Sequence, residues 1–391
     1  MARAINSYLK GLTFFVAILL VAGGCLDLKS KKDGDYLQQV LALEESAIKS
    51  VMNNPQEFEL QMQLLLPNDS ILLKGKQAQF SFVDYSKGQY FYPASTVKFP
   101  VAILATQWAE QQPQISIVTP YRIGNDTITH YIAQDLIDIF AISDNQAFNR
   151  LYDLLGRDFI NQRMADLNLG PFRLAHRLSV PQAAAPEHPI YFFETSEGIA
   201  TFQAQPDRPV DSIVVAGTQK GIGFISDEVQ VNNPMDFSRK NYFPLETMVN
   251  LMERLFPLNC SDCPSTFKWS KNTEAFVKSL MSGVPRKQGF DEVQYPDGYV
   301  KFFFLGDSNQ RIDPSLKIHN KVGYAYGTLT DIAYVVDTKH DLHYILGATL
   351  LVNKNGIFND NTYEYDSIGL PFLAQSARSL HQLLVEAKTG R

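Results

Sequence analysis

Residues 92–100 read YPASTVKFP, and the relation between Ser95 and Lys98 in this stretch decides how the rest of the chain is read. The apolar run behind the serine, FPVAILATQWA, predicts a helix over 95–111 that opens at Ser95. Positions three apart share a helix face, so Lys98 can approach Ser95. A serine hydroxyl at its own pKa is a poor nucleophile and needs a base within hydrogen-bond reach. Lysine becomes such a base once burial and nearby positive charge lower its pKa. Taken alone, the stretch also fits an ordinary surface serine beside an ordinary surface lysine, because Ser-x-x-Lys recurs by chance.

The 391-residue chain is 45% hydrophobic and 19% charged, with 26 Phe and 18 Tyr, enough to bury a substantial core. Its net charge of −6, with no basic run and no Lys/Arg stripe among aromatics, argues against nucleic acid as a partner. No GxxxxGKS loop and no HExxH occurs, and the seven His are scattered. Neither a metal nor an organic cofactor is expected.

The amino terminus, MARAINSYLKGLTFFVAILLVAGGC, has a basic start, a short apolar run and small residues before Cys25. It reads as an export signal over 1–24, since the apolar run is too short to span a bilayer. AGGC is similar to a lipobox, which would make Cys25 the lipid-modified first residue, followed by a tether over 25–34. Plain secretion is the alternative. Leu26 in place of aspartate implies anchoring at the outer membrane, in the periplasm. Cys260 and Cys263 form a CxxC that fits a local structural disulfide outside the cytoplasm, or two reduced cysteines in a loop.

Further elements follow from periodicity. DYLQQVLALEESAIKSVMNN (35–54) is helical. EFELQMQLLLP and QAQFSFVDYSKGQYFYP are strands with SKG as their turn. Residues 133–156 are helical on both sides of Ser143, and RDFINQRMADLNLG is a short helix closed by Gly170. After a loop and a Gly-punctuated, strand-like stretch over 180–242, two helices return, then three strands from IHNKVGYAYG onward, then a closing helix, LPFLAQSARSLHQLLVEA. The order implies an α/β fold: an antiparallel sheet flanked by helices, shared by the first and last parts of a domain over 35–391. An inserted all-helical subdomain spans roughly 112–280, with an extra segment at roughly 183–240. The active site is expected in the crevice between them.

Three motifs fall on this frame in order: STVK (95–98), SDN (143–145) and KVG (321–323). S-x-x-K, S-D-N and K-T-G together mark serine β-lactamases and penicillin-binding proteins. The chain resembles that family over roughly residues 35–390, apart from the extra segment, and is most similar to its class A. The resemblance implies a β-lactamase/transpeptidase-like fold with Ser95 as nucleophile, Lys98 as its base, and Lys321 supplying charge. Ser143 would bridge the two lysines and hand a proton to the leaving nitrogen. Asn145 would bind the substrate's side-chain amide. The turn containing Gly323 would place the Tyr324 N–H opposite the Ser95 N–H as the second oxyanion donor. Asp144 reads as a structural acceptor.

Two positions depart from the pattern. HRLSVPQAAAPEHP (176–189) resembles the start of the Ω-shaped loop that carries the deacylating glutamate in class A. Arg177 and Leu178 match its arginine-leucine pair, which puts Gln182 at the glutamate position, and glutamine cannot act as a base. Glu187 is a possible replacement if the loop is rebuilt. Val322 stands where the family's threonine hydroxyl binds the β-lactam carboxylate. Losing one hydrogen bond to an anion, worth about 1.5–3 kcal/mol, implies roughly tenfold to a hundredfold weaker recognition.

The resulting expectation is an exported serine hydrolase of β-lactamase type, forming an acyl-enzyme on Ser95 and acting as a monomer on a small-molecule amide or ester. By resemblance this implies β-lactam hydrolysis and antibiotic resistance. A peptidase or esterase of penicillin-binding type is the alternative, and a non-catalytic binding lipoprotein is a second. A redox role for Cys260 and Cys263 has little behind it.

Overall fold

The structure, a computed structural model, describes residues 35–68, 71–73, 79–260 and 267–390. The expected leader, the tether, Cys25 and Cys263 lie outside the described residues. The chain begins with α1 (Tyr36–Leu41), α2 (Ser46–Met52), β1 (Gln61–Leu65) and β2 (Phe80–Asp84). A middle portion follows with α3 (Lys98–Gln111), β3 (Tyr121–Ile123), α4 (Ile132–Ala141), α5 (Asn145–Leu155) and α6 (Arg157–Asp166). Next come the short strands β4 (Tyr191–Thr195), β5 (Gly198–Phe202), β6 (Gln219–Lys220), β7 (Gly223–Ser226), β8 (Val229–Val231) and β9 (Met235–Asp236). The rest comprises α7 (Leu245–Leu255), α8 (Lys271–Ser282), the single turn α9 (Phe302–Leu305), β10 (Leu316–Ala325), β11 (Thr328–Asp337), β12 (Leu342–Leu351), β13 (Ile357–Phe358) and α10 (Leu370–Thr389).

The main sheet has the order β10-β11-β12-β1-β2 and is antiparallel throughout, so the two ends of the chain share it. Its two faces feed two cores. Ile318, Val322, Ala333, Leu346 and Leu350 pack with residues of α1 and α10, whereas Ile332 and Ile345 pack with residues of α3, α5 and α7. Both faces are covered, which explains why β1 is buried at every position and β12 is almost continuously apolar. The register Ala325↔Thr328 leaves Tyr326 and Gly327 as a two-residue hairpin turn. Both have positive φ, 51° and 75°, as the strand twist requires of such a turn.

The α-helix after Ser95 begins three residues later than its periodicity suggests. Ala94–Val97 form a tight 3-10 turn, and the α-helix starts at Lys98. The expected turn at SKG is also displaced: β1 and β2 do pair, but through the connection 66–79, and residues 86–88 lead out of β2. Asp84 Oδ1 ends β2 by accepting the N–H and hydroxyl of Ser86 at 2.8 and 2.6 Å.

The helical middle carries a feature beyond the expected architecture, a three-stranded sheet β3-β4-β5. The extra segment supplies β4 and β5 and then β6 to β9, of which β7 pairs in parallel with β13. Cys260 is disulfide-bonded.

Candidate active site

Three elements meet at one point: the 3-10 turn holding Ser95, the α4–α5 turn holding Ser143 to Asn145, and the edge strand β10 holding Lys321 to Tyr324. β10 sits close against the nucleophile turn because residue 323 is glycine. A Cβ there would lie 2.8 Å from the backbone nitrogens of Ser95 and Thr96 and 2.9 Å from the Pro93 oxygen. The α4–α5 turn is fixed by Asp144, whose Oδ1 accepts the Ala147 N–H at 2.6 Å and caps α5.

Lys98 is fully buried in the first turn of α3. Its Nζ donates to Asn145 Oδ1 at 2.7 Å, to the Ser143 carbonyl, and weakly to Ser143 Oγ at 3.4 Å. Among the described residues no hydrogen bond joins Lys98 to the Ser95 hydroxyl. Lys321 Nζ donates to Ser143 Oγ at 2.8 Å and to its neighbour's carbonyl, Val322 O, at 2.8 Å. Burial lowers the pKa of Lys98 well below its ordinary value, and the Lys321 charge lowers it further. Burial also brings Lys321 down to about 7, against the pull of Asp331. Two lysines of lowered pKa that share one serine can take up a proton and pass one on.

Sequence reading missed a group beneath the strand. Lys301 Nζ donates to the Met281 and Ile318 carbonyls at 2.8 and 2.9 Å and to Asn320 Oδ1 at 2.6 Å. Asn320 Nδ2 donates to Asp331 Oδ1 at 2.8 Å, and Asp331 Oδ2 accepts the Phe303 N–H at 3.0 Å. Burial raises the Asp331 carboxyl and lowers the Lys301 ammonium. The signal was available in the hairpin register: Val322 pairs with Asp331, and Asn320 lies two residues before Val322, so all three share one face.

That register corrects the role given to Val322. Lys321 faces Ser143, so its neighbour faces the opposite core, where Val322 is 3% exposed. A threonine hydroxyl at 322 would not reach a ligand in the cleft. The loop 176–189 also corrects one expectation. Arg177 binds Asp153 through Nε at 2.9 Å and holds the carbonyls of Ala185 and Glu187 at 2.8 Å each. His188 Nδ1 lies 2.8 Å from the same Asp153 oxygen, and Asn149 exchanges two hydrogen bonds with Leu178. Held from inside in this way, the loop leaves Glu187 exposed and outside the cleft lining, while Gln182 lines the cleft.

The cleft is a cavity of about 890 Å³ whose walls include Ser95, Asn145, Ser179, Gln182, Tyr324 and Tyr326. Asn145 Nδ2 donates to Ser179 Oγ at 3.0 Å across it. Tyr324 and Tyr365 also border an adjoining cavity of about 540 Å³. Ala94, Ser143, Ser179, Gln182 and Tyr326 all have φ between 48° and 56°, a conformation that costs non-glycine residues energy and gathers where side chains are held for use. Among the described residues, Asp337, His340 and His381 are close enough together to hold one metal ion, but none lines the cavity. Both imidazoles lie against Asp337 Oδ2, at 2.5 and 3.0 Å, which ties α10 to the β11–β12 turn.

Comparison with known proteins bears on the family and the fold. A sequence model described as "Beta-lactamase enzyme family" matches residues 70–361. No match was found among curated proteins. A class A β-lactamase from Bacteroides cellulosilyticus shares the fold at TM-score 0.51 and 12% identity, covering 90% of this chain and 98% of its own. A β-lactamase from Sphaerobacter thermophilus does so at 0.50 and 12%, covering 89% and 96%. A PBP-A mutant in an acyl-enzyme complex with penicillin G does so at 0.50 and 13%, covering 90% and 97%.

Proposed function

The chain belongs to the β-lactamase enzyme family, and we propose that it is a serine acyl hydrolase that forms an acyl-enzyme on Ser95 and releases the acyl group slowly. The observation that carries this reading is the Lys98–Ser143–Lys321 chain, joined to a cleft that Ser95 lines and that no aspartate or glutamate lines among the described residues.

In the proposed reaction Lys98, its pKa lowered by burial and by the Lys321 charge, takes the Ser95 proton as Oγ attacks the substrate carbonyl. The N–H groups of Ser95 and Tyr324 receive the developing oxyanion. Lys321 donates to the Ser143 oxygen, which leaves the Ser143 proton free to pass to the departing nitrogen or oxygen. Lys98 returns its proton to Ser143, the leaving group departs, and Ser95 remains acylated. Hydrolysis then needs a base for water. Gln182 cannot serve and Glu187 is outside the cleft, so Lys98 must act a second time. A bound β-lactam would therefore be held on Ser95 longer than in an enzyme with a loop glutamate. The acyl-enzyme named for the PBP-A neighbour is in keeping with such a state.

The substrate class in this reading is an amide or ester, with β-lactams and cell-wall peptides as its nearest members. The leader supports export and attachment to the outer membrane through a lipid on Cys25. Intact-mass spectrometry after mixing with a penicillin and a cephalosporin tests the chemistry. The expected result is an adduct that persists for minutes or longer and is absent from Ser95→Ala. Labelling of Ser95 by neither β-lactams nor a fluorophosphonate would leave a non-catalytic binding protein.

A further inference from the structure

We propose that the extra segment builds an anion-binding subsite into the cleft, so that the preferred substrate carries a negative charge on its acyl side. This rests on the acyl-hydrolase reading for what the site does, but not for what it binds.

Arg239 and Lys240 stand at the end of the extra segment and line the same cavity as Ser95. Among the described residues no aspartate or glutamate lines that cavity, although the chain as a whole has a net charge of −6. Arg239 is exposed, and its side chain makes a long hydrogen bond, Nε to Ser212 Oγ at 3.4 Å. Lys240 is half-buried with its ammonium 5.6 Å over the Tyr326 ring. Neither forms an ion pair among the described residues. Lys240 gives up part of its hydration in a concave wall without a counter-charge, which an anionic ligand offsets, and the exposed Arg239 beside it adds attraction. Lys240 stands against the hairpin turn just beyond Tyr324, in the cavity that Ser95 and Asn145 also line, and the anion held there is assigned to the acyl portion of the substrate.

One further observation points the same way. Asn359 and Asn361, in the loop after β13, line the same cavity. Asn359 Nδ2 spends one hydrogen on the Ile225 carbonyl at 2.9 Å and keeps a second for an oxygen atom. A carboxylate on a short, flat spacer suits these donors, the two cations and the tyrosines that share the cavity with Ser95.

The test uses matched acyl groups, 4-carboxyphenylacetyl and phenylacetyl, which differ only in the anion. Calorimetry of the two benzylamides on Ser95→Ala reads binding without chemistry, and the two 4-nitrophenyl esters on wild type read kcat/KM. The expected anionic-to-neutral ratio is about tenfold to a hundredfold in both, from one or two charge-assisted hydrogen bonds. It should fall several-fold between 0.05 and 0.5 M salt, as screening dictates (concentrations of order suited to Debye lengths of roughly 4–14 Å). Arg239→Gln combined with Lys240→Gln should bring the ratio close to one, and Lys240→Arg should keep it. Melting curves confirm that each variant is folded. Equal binding of both amides, or a ratio that survives the double substitution, overturns the subsite. Turnover of neither ester with the binding preference intact removes the hydrolase reading and keeps the subsite.

Discussion

Lys321 Nζ and Ser143 Oγ, 2.8 Å apart, join the edge strand of the sheet to the turn between two helices by one charge-assisted hydrogen bond. The serine is thereby linked to both lysines, and removing the Lys321 ammonium leaves its proton without direction. Lys321→Met should lower the rate of Ser95 acylation by about 10²-fold or more, read as adduct formation by mass.

The same substitution has a stability signature with a definite sign. Burial holds Lys321 at about 7 in the folded chain, while an unfolded lysine keeps its proton to about 10.5. Between those values the unfolded chain binds more protons, so folded stability rises with pH there, and the cost of the buried charge is complete below 7. Relative to wild type, Lys321→Met should gain most in Tm near pH 6.5 and lose that advantage toward pH 10. A difference independent of pH would mean that Lys321 keeps its proton throughout.

His188 gives the opposite dependence. Burial disfavours its charge, but hydrogen bonds and charge from Asp153 and Asp207, at 2.8 and 3.1 Å, outweigh this and raise it to about 9. A raised pKa means stabilisation that is complete below the unfolded value near 6.5 and is lost as pH rises through about 9. His188→Asn should therefore lower Tm at pH 6 and have progressively less effect toward pH 10. Faster hydrogen exchange in the loop 176–189 at high pH would accompany it, because Asp153 also anchors Arg177.

The close approach at Gly323 predicts a defect of position. Gly323→Ala puts a methyl group 2.8–2.9 Å from three backbone atoms of the nucleophile turn, so strand and turn must part. Misplacement near 1 Å at a reacting centre costs about 10² in rate. Acylation of Ser95 should fall by about that factor while the circular dichroism spectrum stays unchanged.

The ordered trio STVK, SDN and KVG and the alternation of the three last strands made the sheet, the helical middle and their junction readable from the chain. The path of the extra segment was not readable, because β6 to β9 are two to four residues long and their partners are set by distant loops. Arg239 and Lys240 passed unnoticed for that reason: no local pattern marks a cation whose neighbours come from residues 324–326 and 359–361. Val322 was misjudged by analogy with a hydroxyl, although strand alternation alone puts it back to back with Lys321. Val322→Thr should place that hydroxyl in an apolar core at a cost of about 1–3 kcal/mol and give no gain in acylation by penicillin. A tenfold gain would show that the side chain reaches the cleft after all.

Gln182 offers the sharpest control over release. It lines the cleft at φ +48°, and its carbonyl accepts the Ala185 N–H at 2.8 Å. Gln182→Glu changes neither length nor branching, so the backbone strain and this turn are retained. What it adds is a carboxylate on a cavity that no aspartate or glutamate lines among the described residues. If slow release follows from the missing base, the variant should lose its β-lactam adduct at least about tenfold faster than wild type, within the range a positioned base contributes. Acylation should slow modestly, because a negative charge added to the cleft favours the protonated form of Lys98. Release should depend on pH through the new carboxyl group, rising as it loses its proton. Unchanged release would mean that Lys98 already serves as the base for water, and Lys98→Met, acylated by a reactive ester, would then show an adduct that does not decay.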